Sequence, residues 1–234
     1  MSTKRTYTDE DGEIVTVHSF ESPWQTKDDL FFRAIEAGEI PEEKPWIYDD
    51  GSCKRVALFG EYKNEIHGRD YCTARGMWAC VYKSWVTKLA QWIDGRSVLE
   101  IMGGYGWLSK ALRREGVEIL CTDDGSWGKR RHFDGQPVTE IMELDAVGAV
   151  TEAAQLYDIV LCSWPHKSSA AFIDACKLIP GKTFIYIGED DKGCCAAPEF
   201  FKLFVADPRK DQPVTDLFTW DLVYDSVKVG RINQ

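Results

Sequence analysis

From Ser97 onward, short apolar runs alternate with stretches of helical periodicity, and this alternation constrains the fold more than any other feature of the chain. The runs are "SVLEI", "VEILCT", a strand within "VTEIMELDA", "YDIVLCSW" and "KTFIYIGE". Helical stretches follow most of them: residues 106–115, "AVGAVTEAAQL", "SSAAFIDACKLI" and "APEFFKLFVA". The second run leads instead into a long polar loop. Repeated strand–helix units imply a parallel sheet covered on both faces. "SVLEI", "DIVLC" and "TFIYI" suit such a sheet, because they are apolar on both sides of the strand. The reading is α/β: a Rossmann-like three-layer αβα sandwich with a mostly parallel sheet over residues 96–234. An N-terminal helical extension, residues 1–95, packs on that core. "LFTWDLVYDSVKVG" ends the chain as one strand or two short ones.

Upstream, Thr26 caps a helix expected from Lys27 to Ala37, closed by Gly38 and Pro41. Met77, Val81, Trp85, Leu89 and Trp92 recur at helical spacing, so one helix is expected from Asp70 to Ile93, ended by Gly95. Its aromatic stripe reads as packing surface against the sheet. Residues 1–26 read as a strand with loops or a loose arm, and 45–68 as irregular.

In a parallel sheet of this kind, ligands collect beyond the carboxyl ends of the strands, where the strand order reverses. The first strand ends in "EIMGGYG". Glycines there permit a sharp turn and close approach of a ligand, and the next helix aims its first amides at the same place. A dinucleotide fingerprint would need G-x-G-x-x-G. Gly103, Gly104 and Gly106 do not fit it, and Leu108 and Ser109 stand where a third glycine belongs. Glu100, just before the turn, would repel a pyrophosphate but suits an ammonium or sulfonium group.

Here the chain resembles the class I S-adenosylmethionine (SAM)-dependent methyltransferases, whose first motif looks like E/D-h-G-x-G-x-G. Glu100, Ile101, Met102, Gly103, Gly104, Tyr105 and Gly106 fall on it in order, with Met102 in place of the first glycine. In that family an acid ending the second strand holds the ribose hydroxyls; Asp123 occupies that position, with Asp124 beside it. A third acid near the adenine is matched by Asp145 in "MELDA". The resemblance spans roughly residues 97–204 and extends to a little-characterised group of bacterial and phage methyltransferase-like proteins. It implies SAM as cofactor. The family core usually ends with two strands, the last antiparallel, and the tail after Trp220 is short for that.

The fourth strand ends in "CSWPH". Methyltransferases that act on amines carry (D/N/S)-P-P-(Y/F/W) at this place, and Ser163, Trp164, Pro165 and His166 overlay it loosely. By that resemblance Pro165 stiffens the turn, and Ser163 or a nearby carbonyl accepts a hydrogen bond from the amine. Trp164 stands where the pattern has proline. His166 stands where an aromatic ring stacks on a planar substrate; it is also able to take a proton, or is simply a surface loop histidine. Glu189, Asp190 and Asp191, after the fifth strand, attract a cationic substrate or are solvated loop charges.

The formal net charge of -10 argues against a protein that coats duplex nucleic acid. The basic cluster Lys129, Arg130, Arg131 and His132 in loop 124–137 remains available to an anionic substrate, with Trp127 to stack or to pack. No apolar run approaches the ~20 residues of a membrane span, and the first residues carry no signal-like segment, so a cytoplasmic location is expected. None of the eight cysteines forms a C-x-x-C pair. They read as reduced, with Cys121 and Cys162, inside apolar strand-like runs, as small buried hydrophobes, and no metal is expected. The adjacent Cys194 and Cys195 cannot easily form an unstrained disulfide.

The function expected is SAM-dependent transfer of a methyl group to an amine of a small molecule or nucleobase. The alternatives are a SAM-binding protein without methyl transfer (a SAM-cleaving enzyme, sensor or scaffold) and, against the glycine spacing, a nicotinamide dehydrogenase.

Overall fold

The computed structural model describes residues 2–8, 14–20, 25–45, 68–126, 135–207, 217–220 and 223–233. At the N-terminus, β1 (Ser2–Thr8) and β2 (Ile14–Phe20) pair antiparallel as a two-stranded sheet. The main sheet has seven strands: β3 (Val98–Glu100), β4 (Ile119–Asp123), β5 (Met142–Glu143), β6 (Ile159–Ser163), β7 (Thr183–Gly188), β8 (Phe204–Ala206) and β9 (Ser226–Ile232). Their spatial order is β5-β4-β3-β6-β7-β9-β8. Every pairing from β5 across to β7 is parallel, whereas β9 runs antiparallel to both β7 and β8.

Side chains alternate between the two faces of a strand, and this divides the interior into two cores. Val98, Ile159, Leu161, Ile185 and Ile187 face one core; Leu99, Val160, Cys162, Phe184 and Tyr186 face the other. The first core is closed by α1 (Gln25–Glu36), α2 (Gly68–Ala74), α3 (Lys83–Ile93) and α4 (Trp107–Arg114). The second is closed by α5 (Ala146–Ala153), α6 (Ala170–Lys177) and α7 (Pro198–Leu203). These layers make the Rossmann-like αβα sandwich expected. The helices before Ser97 share one apolar cluster with β3, β6, β7 and β9. Lys110 on α4 donates to the Gly38 carbonyl, and Arg114 pairs with Glu39, so the end of α1 is pinned to α4.

Three expected elements differ. The helix expected over 70–93 is two helices, broken at Arg75–Tyr82. Gly76 takes φ +75° there, and its N–H and that of Met77 close a helix end on Thr73 and Cys72. The apolar spacing carries across the break because the connecting segment also faces the core. The helix expected through "APEFFKLFVA" ends at Leu203, and Phe204–Ala206 continue as β8. The short tail nonetheless supplies a full antiparallel strand, β9, inserted between β7 and β8. The stretch read as irregular, 45–68, lies almost wholly outside the described residues.

Candidate functional site

Moving from β3 through β4 to β5, the chain steps toward one edge of the sheet; it then crosses back to β6, on the other flank of β3. The reversal point therefore lies between the carboxyl ends of β3 and β6, where such folds hold ligands. The turn after β3 is sharply shaped. Met102 has φ +56°, a left-handed conformation that costs an L-residue about 1–2 kcal/mol. This is the position at which the resemblance calls for glycine: the backbone keeps glycine's geometry around a methionine side chain. Gly103 has no room for a side chain, since a Cβ there would lie 2.5 Å from Cys121 Sγ on β4. Its N–H bonds Thr122 O at 2.9 Å. Gly106, at φ +78°, begins α4.

Of the four carboxylates expected at the site, Glu100 and Asp123 are buried and Asp124 and Asp145 are exposed. Glu100 is 1 % exposed and lies beneath the turn, where the Ser109 hydroxyl of α4 donates to it. Burial pushes its carboxyl up to about 7, while hydrogen bonds from Ser109 and Cys121 oppose the rise. Glu100 thus clamps α4 to β3 from below. Asp123 ends β4, accepting from Gly104 N at 2.8 Å through Oδ2 and from Gly125 N at 2.7 Å through Oδ1. It draws the glycine turn toward β4. Asp124 is exposed and accepts from Ser126 N. Asp145 is exposed and caps α5 by accepting from Gly148 N at 2.7 Å. Tyr105 is half-buried, and its carbonyl accepts from Val138 N.

Across the reversal point, β6 ends at Ser163, half-buried and paired with Ile187. Trp164 follows with φ +54°, its N–H bonded to Ile187 O at 2.8 Å. Two non-glycine residues in left-handed backbone thus flank the crevice, one from each strand. Pro165 is buried and its carbonyl accepts from Ala196 N. His166 bridges to Cys195 through its backbone; its side chain is exposed, with Nδ1 accepting from Ser168 N and lying 2.9 Å from Ser168 Oγ. The loops after β6 and β7 are laced together by these bonds.

Glu189 is 6 % exposed and accepts from the N–H and thiol of Cys194 and from Tyr224 N. Burial works to raise its pKa, but those hydrogen bonds and the Arg69 charge outweigh it and hold Glu189 below the usual glutamate value. Asp190 pairs with Lys228, and Asp191 is exposed. Burial and the Glu189 carboxylate push the Cys194 thiol up to about 11, and burial raises Cys195 as well. Neither has the lowered pKa of an activated nucleophile.

Sequence reasoning missed three residues here: Arg69, Trp78 and Asp225. Because β9 is antiparallel, its first residue, Ser226, stands beside Gly188, the last of β7. Asp225 is thereby delivered to the carboxyl edge of the sheet, 8 % exposed, with no hydrogen bond to either oxygen among the described residues. The Trp164 indole N–H lies close enough to favour its ionised form without closing a hydrogen bond, and Arg69 also favours ionisation; burial outweighs both and pushes Asp225 up to about 7. Trp78, in the break between α2 and α3, stacks on Trp164 with centroids 6.0 Å apart and planes at 24°. The Arg69 guanidinium lies 4.8 Å from the Trp164 ring centroid. The one available signal was Gly76, which marked the break that carries Trp78.

Lys129, Arg130, Arg131, His132 and Trp127 lie outside the described residues. No group of three or more His, Cys, Asp or Glu side chains is arranged to hold a metal among the described residues, and no helix there is long and apolar enough to cross a membrane.

The strand order defines the class: a Rossmann-like αβα sandwich, with the β3–β6 reversal as its candidate site. No family model matches the chain, and no curated protein matches it. Solved structures similar to it include a magnesium protoporphyrin IX methyltransferase from Synechocystis with bound SAM, at 16 % identity and TM-score 0.39, covering 65 % of this chain and 79 % of that one. An rRNA methylase from Streptococcus thermophilus is 12 % identical with TM-score 0.39, covering 64 % of this chain and 96 % of that one. A SAM-dependent methyltransferase from Archaeoglobus fulgidus is 12 % identical with TM-score 0.40, covering 64 % and 92 %. Likenesses this distant leave the fold resting on the strand order itself.

Proposed function

We propose that this chain is a SAM-dependent methyltransferase acting on an amine. The observation that carries the reading is the turn at the reversal point: a buried acid beneath it, a glycine-like backbone at Met102, and Asp123 beside it at the end of the neighbouring strand. Asp123 would hold the ribose hydroxyls, Asp124 and Asp145 would lie toward the adenine, and the backbone from Met102 through Gly103, Gly104 and Tyr105 to Gly106 would face the amino-acid part. Glu100 supports this turn through Ser109. SAM, when bound, supplies a methyl group already activated by its sulfonium. The protein has only to align the acceptor and keep water out. Ser163 and the Trp164 carbonyl would orient the amine, Pro165 would stiffen the turn, and His166 would stand beside the acceptor.

Calorimetric titration with SAM, with NAD as control, tests the cofactor. Saturable binding of SAM alone is expected. Asp123 also anchors Gly104 and Gly125, so the informative variant is Asp123→Asn, which keeps one acceptor oxygen. Losing the charged partner should weaken SAM binding about tenfold, as for a charge-assisted hydrogen bond. Affinity equal to wild type would remove Asp123 from the cofactor site. Formation of S-adenosylhomocysteine in the presence of an acceptor separates transfer from binding alone.

A further inference from the structure

The buried polar groups around Trp164 do not satisfy one another. Neither Asp225 oxygen, nor Trp164 Nε1, nor Arg69 Nε makes a hydrogen bond among the described residues. A buried carboxyl or N–H without a partner is costly, so native proteins leave few such groups. Here the orphaned groups come from three separate elements: Arg69 from α2, Trp164 from the end of β6 and Asp225 from the start of β9. They converge beside Ser163, where the acceptor is expected, and the Trp78–Trp164 stack borders them. Two donors and one carboxyl beside an indole pair suit something planar that both gives and accepts hydrogen bonds.

We propose that Asp225, Arg69 and the Trp78–Trp164 pair bind the edge of an amino-substituted nitrogen heterocycle of nucleobase type, which serves as the methyl acceptor. That last role rests on the methyltransferase reading; the binding does not. A carboxylic acid offers one O–H donor and one acceptor oxygen. An aminoazine edge offers the complement, an N–H beside a ring nitrogen, and the two close a pair of parallel hydrogen bonds. Arg69 and the Trp164 N–H remain to meet a further ring nitrogen or carbonyl. The Trp78–Trp164 pair would border the heterocycle and tolerate any base, since every base has a π-face. The net charge of -10 disfavours a long phosphate backbone and favours a free nucleoside or nucleotide over a strand.

The pairing needs one shared proton. The charged groups that act on Asp225 are Arg69, which lowers its pKa, and Glu189, which raises it; burial is larger than either and sets the value at about 7. Binding of a neutral heterocycle should therefore be stronger at pH 6 than at pH 8.

The test is calorimetric titration of the full chain with cytidine, N4,N4-dimethylcytidine and a short single-stranded oligodeoxycytidine, without SAM. Cytidine should bind and the dimethyl compound, lacking the N–H donor, should bind at least about tenfold more weakly. Asp225→Ala should lose about tenfold in cytidine affinity. Asp225→Asn, which keeps a donor and an acceptor, should bind cytidine nearly as well as wild type, with no pH dependence between 6 and 8. Binding of the oligonucleotide alone would keep the site and assign it to a strand. Binding of neither, or equal binding by wild type and Asp225→Ala, would overturn the proposal. Titration of the same samples with SAM separates the two readings. A protein that binds SAM but no cytidine refutes only this pocket, and one that binds cytidine but no SAM refutes the transferase reading.

Discussion

Met102 and Trp164 hold left-handed backbone on opposite sides of the crevice, and such strain persists only where the surroundings enforce it. At Met102 the consequence can be isolated by comparing two truncations. Met102→Ala and Met102→Gly both remove the side chain, so its packing loss cancels between them. Glycine should then be the more stable by about 1 kcal/mol, because only alanine retains the Cβ penalty. In ordinary backbone the order is reversed; urea unfolding of the two variants decides, and alanine above glycine would contradict the observed φ. Glu100 makes a second residue-level prediction. Its folded pKa of about 7 lies above the ordinary glutamate value of 4.5. Its contribution is therefore fully present below about pH 4.5 and is lost as pH rises through about 7. A shift of this size corresponds to roughly 3 kcal/mol. Glu100→Gln keeps an acceptor for Ser109 and removes the titration, so the Tm of the variant should fall less between pH 5 and pH 8 than that of wild type. Parallel Tm profiles would show that Glu100 does not titrate there.

At the scale of elements, Asp145 caps α5, a role independent of any ligand. Asp145→Ala should cost about 0.5–2 kcal/mol in thermal or urea unfolding, whereas Asp145→Asn, which still caps, should cost much less. If both variants bind SAM as wild type does, Asp145 is a cap and nothing more. The helices and strands of the sandwich were legible because burial on both sheet faces forces continuous apolar runs, and because crossover helices carry their own period. The break between α2 and α3 was hidden by the same logic. Met77 and Val81 are buried like the helical residues around them, so their spacing continues through a segment that is not helix. β8 was hidden because Phe204 extends the apolar pattern of α7. The glycine turn and Asp123 could be read because backbone geometry and chain order fix them locally. Arg69, Trp78 and Asp225 could not, since only the folded sheet brings a residue before the first core strand next to one before the last.

For the whole molecule, β9 governs how the far side of the sheet is completed. Gly230 on β9 faces Phe184 on one side and Ala206 on the other, and a Cβ there would lie 2.2 Å from the Val205 carbonyl oxygen. Gly230→Ala should pry β8 away while leaving β3 and β4 intact. Hydrogen exchange should speed up at the Phe204–Ala206 amides and stay slow at Leu99 and Cys121; uniform acceleration would mean that the sheet opens as one unit.

The placement of β9 also sets a schedule for the growing polypeptide. β8 leaves the ribosome before β9 but lies outside it in the sheet, so it has no neighbour until β9 arrives. The strands that shape the glycine turn are already made by then, and domains acquire structure as they emerge. A nascent chain would thus form the β3–β4 turn before the flank bearing Asp225 exists, so the two sides of the β3–β6 crevice would be completed at different times.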